Sequence, residues 1–121
     1  MGNPTLPDYK TLSARALMRL LTGRRFTSRD FQDETASYRL SSFIEELRNR
    51  HGWRIDTRME TAPTNDPTGR TAKYGRYSID PEVLVTYKRA FGVRLDKFIE
   101  VVRMFEAGTP RNQQGVQGGS Q

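Results

Sequence analysis

The sequence of 121 residues contains no cysteine and only one histidine, His51. Without cysteine the chain cannot form a disulfide framework or a cysteine-ligated zinc site, and it has no thiol nucleophile. One histidine and carboxylates without ligand spacing make a metal site improbable. We therefore expect no bound metal and no cofactor.

Sequence motifs of enzymes are also missing. The chain has neither a Walker motif nor a dinucleotide-binding glycine pattern, and its carboxylates are dispersed. The adjacent pair Glu45 and Glu46 would diverge by about 100° on a helix, so the two could not share a substrate atom. The sequence predicts a protein without enzymatic activity.

Long apolar runs are absent as well, and no segment approaches the length of a membrane span or of a signal sequence. We expect a cytoplasmic protein that does not bind membranes.

Positive charge is in excess, with 20 Lys and Arg against 14 Asp and Glu and a sequence pI of about 10.1. Most of these cations are arginines, whose planar guanidinium group can donate two hydrogen bonds to a phosphate or to a guanine edge. The composition favours nucleic acid as the partner, with an acidic protein as the second candidate.

Three helices are predicted in the first half of the chain. Apolar residues recur at helical spacing from Thr11 to Thr22, and Gly23 follows as a left-handed cap. Thr27 and Asp30 form a capping-box pattern for a second helix from Ser28 to about Glu34, with Phe26 and Phe31 as its hydrophobic staple. The third helix is predicted to begin near Ser37 as N-cap and to stop at Gly52, with a stripe of Leu40, Phe43, Ile44 and Leu47.

A β-hairpin is predicted next. Residues 53 to 59 alternate between apolar and charged, which predicts a strand that buries Trp53, Ile55, Thr57 and Met59. Its partner strand is predicted from Tyr74 to Ile79. The turn-rich segment from Glu60 to Lys73 between them predicts an extended wing.

Two further helices are predicted after the hairpin. The pair Asp80-Pro81 favours a helix start, and this fourth helix runs to Gly92. A fifth helix runs from about Arg94 to Ala107. Its apolar stripe either packs back on the first helix or forms a dimer interface through Leu95, Phe98, Val102 and Phe105.

The order helix, helix, helix, strand, long loop, strand is that of a winged helix. The predicted fold class is therefore α+β and mostly helical, a winged helix-turn-helix over residues 11–80 with a long-wing β-hairpin. Residues 81–108 add two C-terminal helices and a possible dimer interface. Residues 1–10 are predicted to be a flexible tail and residues 109–121 a disordered one.

The run from Arg39 to Arg48 (RLSSFIEELR), followed by Gly52-Trp53-Arg54-Ile55, resembles the helix-turn-helix domains widespread in bacteriophage and prophage genomes. The resemblance covers roughly Leu17 to Ile79. It implies DNA binding and phage gene regulation, in the cytoplasm of a bacterial host.

Candidate DNA-binding residues fall into three groups. The face of the third helix opposite its apolar stripe would read base edges in the major groove; the alternative is a solvated face with Glu45–Arg48 and Glu46–Arg50 pairs. No acid occurs from Tyr9 to Arg29, and this basic stretch would contact phosphate, as would the second half of the wing. The three groups are Tyr38, Arg39, Ser41, Ser42, Glu45 and Asn49; Arg24, Arg25 and Arg29; and Arg70, Lys73 and Arg76.

The sequence thus predicts a double-stranded DNA-binding protein, a phage or prophage transcriptional regulator, acting as a monomer or a homodimer. The alternative is a protein-interaction module on a winged-helix scaffold that binds a host replication or transcription factor. Phe43 and the two glutamates on the third helix favour that alternative.

Overall fold

The computed structural model describes residues 4–63 and 71–108, and no side chain is described at positions 62, 63 and 71. Within these ranges the fold is α+β and mostly helical, with five helices and one three-stranded antiparallel sheet. The elements in chain order are α1 (Leu12–Leu21), β1 (Phe26–Thr27), α2 (Ser28–Thr35), α3 (Leu40–Asn49), β2 (Asp56–Pro63), β3 (Thr71–Ser78), α4 (Pro81–Phe91) and α5 (Val93–Ala107).

Local capping signals determine where α1, α2 and α4 begin. The side chain of Thr11 accepts from the backbone N–H of Ala14, and the side chain of Asp80 accepts from that of Glu82. At α2 the predicted capping box is confirmed: Thr27 Oγ1 accepts from the Asp30 N–H at 3.2 Å, and Asp30 Oδ2 accepts from the Thr27 N–H at 3.0 Å.

The predicted start of α3 is wrong by two residues, because the N-cap residue is Arg39 and not Ser37. Ala36 ends α2 in the left-handed region with φ 64°, and Ser37 Oγ accepts from the backbone N–H of Arg39 within the turn. Helical hydrogen bonding begins only when the carbonyl of Arg39 accepts from Ser42 and Phe43. Ser37 therefore stabilises the turn and does not cap the helix.

The sheet has the strand order β1-β3-β2, with Phe26 opposite Tyr77 and Asp56 opposite Ser78. Trp53 and Ile55 are buried as predicted, but they precede β2. The prediction that Thr57 and Met59 face inward is wrong, because both are exposed where the hairpin extends past the core.

The hairpin is longer and its loop shorter than predicted. Pairing continues to Pro63 and Thr71, so half of the segment expected to be a wing loop, residues 60–63 and 71–73, is β-ladder. Positions 64–70 lie outside the described residues, and so do the predicted tail 109–121 and the candidate residue Arg70.

The core surrounds α1, which is buried along its length from Ser13 to Leu21 because α3 and α5 both pack on it. Leu95 and Val102 are fully buried in this core and Phe98 almost so. Phe105 is half-buried, with its ring 5.7 Å from that of Tyr9. The dimer-interface interpretation of this stripe is therefore corrected: its side chains pack within one chain, on α1 and the N-terminal segment.

The expectation of a flexible N-terminal tail is also corrected for residues 4–10. The backbone N–H of Thr5 donates to the carbonyl of His51 at 2.8 Å, and Trp53 Nε1 donates to the carbonyl of Thr5 at 2.7 Å. Pro7 is buried and Leu6 packs against the core. Trp53 is a core residue whose polar atom orders this segment.

Arg19 lies at the junction of three helices. Its Nε donates to Glu34 of α2 at 2.7 Å and its Nη2 donates to Glu106 of α5 at 2.6 Å, while its side chain is only 6% exposed. Its guanidinium carbon lies 5.4 Å from the centre of the Phe31 ring, and Arg15 donates to the same Glu106 oxygen at 2.8 Å. Two carboxylates thus compensate the burial of two arginines.

Replacing Arg19 with methionine should lower the free energy of unfolding by about 3 kcal/mol, because it leaves Glu34 and Glu106 partly buried with fewer partners. The measurement is urea denaturation followed by circular dichroism. Arg103→Met, which removes an exposed arginine of α5, is the control and should cost less than about 0.5 kcal/mol. Equal losses from the two variants would show that the buried cluster contributes nothing specific.

Candidate nucleic-acid interface

The exposed face of α3 is polar along its length. Ser41, Ser42, Glu45 and Asn49 are all exposed, whereas Leu40, Ile44 and Leu47 of the same helix are buried. Neither of the alternative pairs, Glu45–Arg48 and Glu46–Arg50, is formed in the part of the chain that the structure describes. The outward side chains are therefore available to an external partner.

Tyr38 and Arg39 lie in the turn before α3 and not on its helical face. Arg39 is the N-cap residue by backbone position, and no side chain caps this helix end. Tyr38 is 77% exposed. The side chains of Tyr38 and Arg39 border a shallow cavity of about 420 Å³, which Leu12 and Arg15 also line. Both residues extend the exposed surface of α3 at its N-terminal end.

Arg48 joins α3 to the hairpin. Its guanidinium group donates to the carbonyl of Ile55 at 2.6 and 3.0 Å and to Thr57 Oγ1 at 2.6 Å. These bonds fix the start of β2 relative to α3. From the sequence, Arg48 is expected only as the partner of Glu45 in the alternative pair. Its position late in the predicted helix, just before the strand, is the signal that could have suggested the contact with the hairpin.

Arg24 is a candidate phosphate ligand that the fold already uses. Its Nη1 and Nη2 donate to the two carboxylate oxygens of Glu34 at 2.8 and 2.7 Å. This bidentate pair raises the pKa of Arg24 above its usual value and, together with Arg19, lowers the pKa of Glu34 to about 2. Any role of Arg24 toward DNA would compete with Glu34.

Arg76 is engaged in the same way on β3. Its Nε donates to Glu60 at 3.0 Å and its Nη1 donates to the carbonyl of Arg25 at 3.3 Å, with Asp30 Oδ2 3.8 Å away. The hydrogen bond between Arg76 and Glu60 raises the pKa of the arginine and lowers that of the glutamate. Arg76 thus connects the hairpin to β1 and α2, a role that competes with contact to DNA.

Three other predicted phosphate ligands differ from Arg24 and Arg76 in having no internal ion pair within the described part of the chain. Arg25, Arg29 and Lys73 are exposed, and their side chains form no ion pair among residues 4–63 and 71–108. Arg54 and Arg58 are also exposed and border the same hairpin. The alternation of residues 53 to 59 predicted both on the outer face of the strand, but neither was among the predicted DNA contacts.

The acid-free stretch from Tyr9 to Arg29 is less basic at the surface than its sequence suggests. Arg15 and Arg19 are buried, and together with Arg24 they pair with the carboxylates of Glu34 and Glu106. Of the arginines in this stretch, Arg25 and Arg29 remain for an external anion.

Among the described residues, no group of three or more histidine, aspartate or glutamate side chains could hold a metal ion. No helix there is both long and apolar enough to cross a membrane.

Comparison with known proteins gives no further assignment: no protein-family model, no curated protein and no solved structure matches the chain.

The acid stability of the protein should depend on Glu34. Because its folded-state pKa is lowered from 4.5 to about 2, ionised Glu34 stabilises the fold above pH 4.5, and this contribution is lost as the pH falls toward 2. Glu34→Gln should therefore lower Tm at neutral pH and flatten the decline of Tm over that window. Glu45→Gln, at an exposed glutamate, should leave the curve unchanged, and a Glu34→Gln curve parallel to the wild-type curve would contradict the assignment.

Proposed function

We propose that this protein is a winged helix-turn-helix that binds double-stranded DNA. The order α1-β1-α2-α3-β2-β3 supports the fold, because winged helices lay a short strand beside the hairpin, and β1 pairs with β3 at Phe26 and Thr27. In this interpretation α2 and α3 form the helix-turn-helix, β2 and β3 form the wing, and α4 and α5 are the C-terminal extension.

The observation that carries the proposal is the exposed polar face of α3, opposite its buried stripe. Ser41 and Ser42 occupy the first turn, which contains no acid, and a recognition helix enters the major groove with its N-terminal half. Hydroxyl groups donate to phosphate or to base edges, and Glu45 would accept from cytosine N4. Arg39, at the N-terminal end of this face, is our candidate for a bidentate contact to guanine.

Phosphate contacts would come from Arg25 and Arg29 near the start of α2 and from Lys73 on the wing. These three cations are exposed and without an ion pair in the described ranges, so binding a phosphate would break no internal interaction. Arg24 and Arg76 would act mainly as structural residues that position α2 and the hairpin.

The biological role proposed is transcriptional regulation in a phage or prophage, which rests on the resemblance of residues 39 to 55, with a cytoplasmic location and without catalysis. The alternative is a module that binds a host protein through α3, and the position of Phe43 weakens the support for it. Phe43 is half-buried and packs against Phe31, with ring centres 6.2 Å apart, so only part of its ring is exposed to a partner.

Binding to a random-sequence duplex tests the proposal. The association constant should fall as salt rises, with a log-log slope of about −3 for the three phosphate contacts proposed above. Fluorescence anisotropy over a salt series measures the slope. Absence of duplex binding at low ionic strength would refute the DNA-binding proposal.

Arg39→Ala and Lys73→Ala should have different consequences. Loss of the guanidinium group at the end of α3 should relax sequence preference at one position by about 1–3 kcal/mol, whereas loss of Lys73 should weaken all duplexes alike. Selection of bound sites from a random pool, followed by affinity measurements, separates the two effects. Arg103→Ala serves as a charge-matched control, and equal, sequence-independent losses from both test variants would contradict base reading near Arg39.

A further inference from the structure

A shallow groove of about 390 Å³ runs between the N-terminal segment and α5. Its apolar lining comes from both sides: Leu6 and Pro7 from the N-terminal segment, and Phe98 and Val101 from α5. Tyr9 also lines the groove and is 41% exposed. The groove therefore offers apolar surface to a ligand.

Cations border this groove. Arg94 and Lys97 line it, and Lys10 lies 5.7 Å above the ring of Tyr9. The guanidinium carbon of Arg94 lies 5.3 Å from the centre of the Phe91 ring, a contact that favours one position of this side chain. Among the residues that the structure describes, Asp8 is the one acid that lines the groove, and its carboxylate accepts from the backbone N–H of Lys10 at 2.9 Å.

The acids of α5 near this end are directed elsewhere. At about 100° per residue, Arg94 and Lys97 lie within about 40° of Val101 around the helix, whereas Glu100 and Asp96 lie about 100° and 140° away. The helix thus presents two of its cations, Arg94 and Lys97, on the groove side, where they complement a negatively charged ligand.

The groove is separate from the proposed DNA surface. All of its lining residues belong to positions 6–9 or to α5, and none belongs to α2, α3 or the hairpin. A ligand could therefore bind here while α3 contacts DNA.

We propose that this groove binds an acidic segment of a partner protein that inserts an apolar side chain. Acidic residues would pair with Arg94, Lys97 and Lys10, and an aromatic or aliphatic side chain would cover Leu6 and Val101. A DNA backbone would satisfy the cations but leave the apolar lining exposed, so a peptide matches the surface better.

The test uses a fluorescein-labelled peptide of about ten residues, rich in glutamate with one central phenylalanine, and the full-length protein in an anisotropy titration. Matched peptides replace the phenylalanine with serine or the glutamates with lysines. The protein variant is Arg94→Glu/Lys97→Glu, and Arg103→Glu on another face of α5 is the control. Thermal melting verifies that each variant is folded.

The glutamate-phenylalanine peptide should bind to the wild-type protein, and each matched peptide should bind to it about tenfold more weakly. The double variant should bind the glutamate-phenylalanine peptide about tenfold more weakly than wild type does. Arg103→Glu should change it less than about twofold. Duplex binding by the double variant should stay within about twofold of wild type, which keeps this result independent of the DNA proposal.

The inference is overturned if no peptide binds at concentrations up to about 1 mM, the weak end of specific association. It is also overturned if the serine peptide binds equally well, or if the double variant loses duplex affinity and not peptide affinity. That last result would assign the surface to nucleic acid.

Discussion

The burial of Arg19 between Glu34 and Glu106 is the interaction on which the arrangement of the helices depends. It joins α1 to α2 and α5, and Glu34 also holds Arg24. Removing either carboxylate would leave positive charge with too few partners in a poorly solvated site. The same cluster sets the position of α2, and Asp30 of α2 lies close to Arg76 of the hairpin. The position of the hairpin therefore also depends on the cluster.

This constraint changes how the charge of the protein should be interpreted. A net charge of +6 and an acid-free stretch suggest a strongly basic surface, yet Arg15 and Arg19 of that stretch lie inside the fold and Arg24 is paired. The cations that remain exposed are spread over the surface: on α2, the hairpin, α4 and α5, and at both ends of α3. In our account phosphate attraction is therefore distributed, and α3 contributes orientation and a small number of base contacts.

Local rules predicted much of the fold. The capping box of Thr27 and Asp30, the helix start at Asp80-Pro81 and the buried face of α3 depend on residues within one or two turns of each other. The start of α3 could not be predicted, since the left-handed conformation of Ala36 makes Ser37 part of the turn. Thr57 and Met59 alternate like core residues, but both are exposed because this part of the hairpin extends past the core.

Long-range contacts account for the remaining differences. Arg15 and Glu106 are 91 positions apart, and the carbonyl of Thr5 that orders the N-terminal segment accepts from Trp53, 48 positions later. No periodicity relates such residues. The exposed candidates on α3 were predictable because they follow from the buried stripe, whereas the internal pairing of Arg24 and Arg76 required the tertiary fold.

Mapping of backbone amide chemical shifts during titration with a random duplex at low salt tests the central claim most directly. The account predicts the largest changes at Ser41, Ser42 and Glu45, with smaller ones near Arg29 and Lys73 and none along the groove side of α5. Changes concentrated on α5, with α3 unaffected, would contradict it.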